Sequence, residues 1–169
     1  MRRTAPFYPK NPYIQNGVAA RVYLAWLRRG WQLPAKTLGL VLGCELACPL
    51  PERLFLPHPN GVIADTHCRL GNDVVLRQQV TLGVARPYYD HRLDPLKVDP
   101  ILEDGVYVGP GAKILGRINI GTWSVIGANA VVTIDVPPNS IVVGFNRLLE
   151  KPASDLPWVP DPSAAISPS

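Results

Sequence analysis

The chain has 169 residues, 47% of them hydrophobic and 18% charged, with seventeen Lys and Arg against thirteen Asp and Glu. That balance describes one soluble globular domain with its own core and excludes a disordered chain. The longest apolar run, LGLVLGCELACPL, is too short for a bilayer span and is interrupted by Glu45.

Residues 1–17 are rich in Pro and Tyr and read as an irregular arm; the charged opening MRRTAPF is not followed by the apolar stretch of a signal peptide. Over 18–29 the apolar Val18, Val22, Ala25 and Trp26 recur at helical spacing, and Gly30 ends the element. This predicts a helix packed on the main body, the alternative being a basic amphipathic helix touching lipid. A second short helix is expected over 34–42. Cys44, Cys48 and Cys68 are odd in number with no CxxC pair, which indicates neither a disulfide framework nor a zinc site and makes a reducing cytoplasm the default. The basic residues are scattered without interleaved aromatics, so no nucleic-acid platform is indicated.

From residue 50 onward the sequence repeats in sixes. Residues 102–131 divide into LEDGVY, VGPGAK, ILGRIN, IGTWSV and IGANAV, and upstream the same register gives LPERLF, LPHPNG(VI), ADTHCR, LGNDVV and LRQQVT. Each unit opens on an aliphatic or small residue, and most carry a small or β-branched residue at the fifth place. A period of six is neither helical nor that of a flat strand. It predicts an all-β solenoid with three short strands per turn, in which the first residue of each hexad points into a prism and buries itself only by stacking on the next turn. The register breaks twice. Two extra residues stretch the hexad after Leu56, around His58, and residues 84–100 must leave the coil as a loop. Pro57 and Pro59 pin His58 in a stiff turn. Residues 152–169 read as a flexible Pro/Ser-rich tail.

The blocks LPHPNGVIAD, LGNDVVLRQQVTLG, LEDGVYVGPGAKILGRINIG and IGANAVVTIDVPPNSIVVG, spread over about 44–151, resemble the hexapeptide-repeat acyltransferases, and among them the serine acetyltransferase-like members of short form. The resemblance implies a left-handed parallel β-helix over 44–151 with a short N-terminal helical segment over 1–43. It also implies homotrimers with sites between neighbouring prisms, and direct transfer of acetyl from acetyl-CoA to an acceptor hydroxyl. It makes His58 the general base and Glu45, with Glu52 in reserve, the carboxylate that orients it. Gly83 and Val84 become the donors to the oxyanion. Along the cofactor groove it implies Gly109, Gly111, Ala112, Lys113, Trp123, Ser124, Ile126 and Arg147, and towards the acceptor Asn60, His91, Arg92 and Asp99. His67 is expected to be structural or exposed, and His58, His67 and His91 lack the close pair that a histidine metal site needs. Pro57 stands where serine acetyltransferases of the cysteine pathway keep an acid, and KVDP where they keep DRHP. The alternatives are therefore an O-acetyltransferase acting on a surface-polysaccharide sugar and a non-catalytic trimeric assembly subunit.

Overall fold

The computed structural model describes residues 14–85 and 99–150. Two helices come first. α1 (Val18–Arg28) buries Ala20, Tyr23 and Leu24; α2 (Gln32–Leu42) buries Ala35 and Gly39. Gly43 closes α2 at φ 60°, a left-handed conformation that costs glycine little. Both helices match the expected positions to within two residues, because the burial of one face decides where each element sits.

Among the described residues thirteen short strands follow, distributed over three parallel sheets, in strict rotation from β3 to β12. The first sheet runs β1 (Glu45–Leu46), β3 (Ile63–Ala64), β6 (Thr81–Gly83), β9 (Lys113–Leu115) and β12 (Val131–Val132). The second holds β4 (Arg69–Leu70), β7 (Ile101–Leu102) and β10 (Asn119–Ile120). The third holds β2 (Leu54–Phe55), β5 (Val74–Leu76), β8 (Tyr107–Val108), β11 (Val125–Ile126) and β13 (Ser140–Val143). A final strand, β14 (Arg147–Glu150), turns back and pairs antiparallel with β13, ending the hexad pattern in a hairpin that the repeat does not announce.

Strand register confirms the hexads and dates their interruptions. Partners on successive turns stand 18 residues apart, as in Glu45↔Ile63, Ile63↔Thr81 and Tyr107↔Val125. Leu54↔Val74 is separated by 20, the two extra residues around His58. Arg69↔Ile101 is separated by 32, which places fourteen extra residues after β6. Most of that loop, residues 86–98, lies outside the described residues, as do the arm 1–13 and the tail 151–169.

The core is the interior of this stack. First-position residues Leu102, Val108, Ile114, Ile120 and Ile126 are buried, and so are the fifth-position residues Val106, Ala112, Ile118, Ser124 and Ala130. Corners repeat as faithfully. Gly61, Gln79, Gly111 and Asn129 form one column of positive φ, and Asp73, Gly105, Trp123 and Asn139 a second. The Trp123 conformation, at φ 59°, is unfavourable for a bulky residue, and its ring lies over Gly105, where any side chain would collide with it. Arg53 braces a corner by a double 2.8 Å bond to the buried Asp73 carboxylate.

All three cysteines are buried thiols. Burial pushes Cys44 up to about 12 and Cys48 up to about 11, and raises Cys68 as well. Burial is also the largest cause that lifts Tyr23 to about 12; its hydroxyl donates to the Cys44 carbonyl and accepts the Leu46 N–H. A group whose pKa is raised on folding contributes stability below its unfolded value and loses it as pH rises towards the folded value. The midpoint of urea unfolding is thus expected to fall steadily from about pH 9 towards about pH 11. A flat profile over that range would contradict these burials. In parallel, a thiol-alkylating reagent at neutral pH should label the chain only in denaturant.

Candidate functional site

The stretched turn is held from several sides. Pro57 and Pro59 are buried, which leaves no buried N–H to satisfy, whereas His58 between them is exposed. Asn16 clamps the approach, its side-chain amide donating to the Leu54 carbonyl at 2.9 Å and its oxygen accepting the Leu56 N–H. Beyond the histidine, Val62 N–H donates to Pro59 O at 3.2 Å, Gln79 N–H to Asn60 O at 2.8 Å and Gly61 N–H to Leu42 O at 3.2 Å. The turn fixes the backbone that presents the imidazole at both ends, while the ring itself faces solvent. Asn16, which the irregular composition of its segment hid, is the residue sequence reasoning missed here.

Glu45 opens β1 opposite Ile63, is exposed, and lines a groove of about 950 Å³ between the two helices and the first turn of the coil. His58 does not line that groove, and among the described residues neither Glu45 nor Glu52 bonds to it. The backbone carbonyls of Pro51 and Glu52 accept from Arg28, tying this turn to α1.

The corner after β6 brings other groups together. Gly83 lies opposite Leu115 in the ladder and accepts the Gly116 N–H at 2.8 Å. A Cβ at Gly83 would stand 3.3 Å from Asp65 Oδ2, so a carboxylate covers this glycine and would repel an oxyanion there. Val84 is 40% exposed, and among the described residues its N–H has no acceptor, which leaves it the better placed donor of the two.

Asp99, at the return of the loop, is buried; its Oδ2 accepts the His67 N–H at 3.2 Å and stands 3.7 Å from His67 Nδ1. Its Oδ1 has no partner among the described residues. Burial, and then the nearby Asp65 charge, raise the Asp99 carboxyl, while His67 pulls it back. Asp65 was not singled out from the sequence, although the 18-residue repeat that sets residue 65 beside residue 83 could have shown it; His67, expected to be structural or exposed, is half-buried against Asp99. Because the raised pKa means stability present below the unfolded value of 3.8 and lost as pH rises through the folded value, Asp99→Asn should melt no lower than the parent at about pH 7. Any advantage should vanish near pH 3, and a variant markedly less stable at neutral pH would show that the charged carboxylate stabilises the corner.

The residues expected along the cofactor groove divide sharply. Ala112, Ser124 and Ile126 are interior, and the Ser124 hydroxyl is spent on donating to Pro137 O at 2.8 Å and accepting the Ser140 N–H at 3.2 Å. A Cβ at Gly109 would stand 2.7 Å from the Ala128 nitrogen, so this glycine lets the next turn approach. Gly111, at φ 72°, has the Asn129 side chain against the space a Cβ would fill. Trp123 packs with Ile14, Phe55, Val75 and Tyr107 outside the third sheet. Lys113 and Arg147 reach the surface, Lys113 Nζ donating to Gln79 O at 2.7 Å. Asn60 is exposed beside His58, and His91 and Arg92 lie outside the described residues. Among the described residues no group of three or more His, Cys, Asp or Glu is disposed to hold a metal ion.

Residues 99–133 match the family model described as bacterial transferase hexapeptide (six repeats). The chain is 42% identical over 126 residues to a serine acetyltransferase of Mycobacterium tuberculosis, covering 70% of this chain and 52% of that one. It is 36% identical over 112 residues to that of Escherichia coli, covering 66% and 39%. Among solved structures, a serine acetyltransferase of Vibrio cholerae superposes with a TM-score of 0.65 at 28% identity, covering 83% of this chain and 55% of the other. One from Neisseria gonorrhoeae in complex with serine gives 0.57 at 34% identity, covering 75% and 52%. The chain thus spans about half the length of the first of these relatives and less of the second.

Proposed function

We propose that this hexapeptide-repeat, serine acetyltransferase-like chain is an O-acetyltransferase that moves acetyl from acetyl-CoA to the hydroxyl of a small acceptor, with His58 as the base. The observation that carries the reading is local: the coil is regular until the two-residue expansion, and that expansion presents an exposed imidazole between buried prolines inside the region of similarity. The three-sheet rotation is read as a left-handed parallel β-helix. The candidate groups spread over several faces of one coil, which favours a homotrimer whose sites lie between neighbouring prisms.

His58 takes the proton from the acceptor hydroxyl as its oxygen bonds to the thioester carbon. The carbonyl oxygen becomes an oxyanion, met by the Val84 N–H; such a donor is worth roughly 3 kcal/mol. The C–S bond then breaks, and the imidazolium returns its proton to the leaving CoA thiolate. Glu45 or Glu52, from the same chain or a neighbour, orients the imidazole. Lys113 and Arg147 are suited to the phosphates of CoA, and the interior Ala112, Ser124 and Ile126 act by shaping the wall. Asn60, Asp99, His91 and Arg92 are left to the acceptor side.

L-Serine is the acceptor favoured by the names of the relatives. The exposed Asp65 carboxylate over Gly83 could meet an ammonium, which a neutral sugar lacks. A thiol-release assay with acetyl-CoA and a panel of L-serine and sugars tests the reading: release that depends on L-serine is expected, and release only with sugars would transfer the activity to polysaccharide modification. No CoA binding and no release would favour an assembly subunit.

A further inference from the structure

The helical hairpin is the part of the molecule that the coil does not account for. α2 buries Ala35 and Gly39 against the body, yet its opposite face is also apolar: Leu33, Leu40 and Val41 are 81%, 85% and 77% exposed. At 100° per residue, Lys36, Leu40, Leu33, Thr37 and Val41 fall on one outward arc about 140° wide. Trp31 stands exposed at the start of the helix, with the Arg29 guanidinium 6.0 Å from its ring centroid.

The hairpin's own charge has one sign, although the exposed Glu45 just after it lines the same groove as Lys36 and Leu40. Residues 1–44 hold seven of the seventeen basic side chains and none of the thirteen acidic ones. Within the described hairpin these are Arg21, Arg28, Arg29 and Lys36. Arg28 bonds two backbone carbonyls, and among the described residues no carboxylate pairs with the other three. A second copy brought to the same face would oppose positive charge with positive charge. An anionic bilayer offers what the hairpin lacks: negative charge at its surface, apolar chains below, and a boundary that tryptophan favours.

We propose that the α1–α2 hairpin is a docking surface for an anionic phospholipid membrane, with Leu33, Leu40 and Val41 entering the headgroup boundary and Arg21, Arg29 and Lys36 meeting lipid phosphates. The contact is peripheral, since no helix among the described residues is long and apolar enough to cross a membrane.

The test uses the full chain and sedimentation with vesicles of phosphatidylcholine alone or mixed with phosphatidylglycerol. At least tenfold more protein should sediment with the anionic vesicles, and the excess should fade as salt shortens the screening length from about 10 Å to about 3 Å. Arg29→Gln should weaken binding roughly fivefold, the contribution of one charge near an anionic surface. The pair Leu33→Glu and Val41→Glu should abolish it, with an unchanged circular dichroism spectrum showing the fold intact. Absence of binding to anionic vesicles, equal binding to neutral ones, or full binding by these variants would overturn the proposal. So would a fall in oligomer mass on Leu33→Glu without any effect on vesicle binding, which would assign the face to a second copy. Acetyl transfer without lipid is measured separately, so failure of docking and failure of the proposed activity are distinguishable.

Discussion

Replacing His58 with alanine should lower the rate of acetyl transfer by roughly 10²–10⁴-fold, the usual contribution of a positioned base. Affinity for acetyl-CoA should be little changed. The expectation follows from how the turn is built. The imidazole is exposed, so its removal opens no cavity, while the backbone that presents it is held by Pro57, Pro59 and the bonds to Asn16, Gln79 and Leu42. The variant should therefore melt close to the parent. Rate and stability then separate the two roles a histidine could have: a structural residue would lower the melting temperature, and a base would lower the rate alone. A variant that keeps full activity would remove His58 from the chemistry.

Gly109→Ala is expected to act in the opposite way, through the fold. The added Cβ would stand 2.7 Å from the Ala128 nitrogen and 2.9 Å from the Ile126 oxygen, both backbone atoms of the next turn. Backbone cannot swing aside as a side chain can, and overpacking of this kind typically costs about 1–3 kcal/mol. For a chain of this size each kcal/mol lowers the melting temperature by about 2–4 °C, so a fall of roughly 2–12 °C is expected by calorimetry. Acetyl-CoA affinity, measured by titration well below the transition, should remain. Lost affinity with unchanged melting would return this glycine to the cofactor groove.

That glycine shows where the sequence was legible and where it was not. Hexad spacing identified both the interior positions and the two interruptions, because a period of six with aliphatic first residues has few ways to bury itself; Leu102, Ile114 and Ile126 lie inside as expected. The extra pair of residues near His58 appears directly as the separation of 20 between Leu54 and Val74. Residues chosen because small side chains admit a cofactor were harder to interpret, since stacked turns demand small residues at the same places. Gly109 faces the next turn, and Ala112 and Ser124 face inward.

Contacts between distant turns were the least visible. Asn16 reaches Leu54 across 38 positions, and His67 meets Asp99 across 32. The hairpin of β13 and β14 falls outside the repeat altogether, so no periodicity foretells it. The charge asymmetry of the first 44 residues stands in the sequence, although the basic residues read there as merely scattered. Its meaning depended on the structure, which showed that α2 turns an apolar face outward as well as inward.

The most direct test of the account is acetyl transfer from isotopically labelled acetyl-CoA, with the acceptor analysed by mass spectrometry for the parent chain and His58→Ala side by side. The account predicts label on the hydroxyl of L-serine with the parent and a rate lower by roughly two orders of magnitude or more with the variant. Equal labelling by both proteins, or free CoA released without any labelled acceptor, would contradict it.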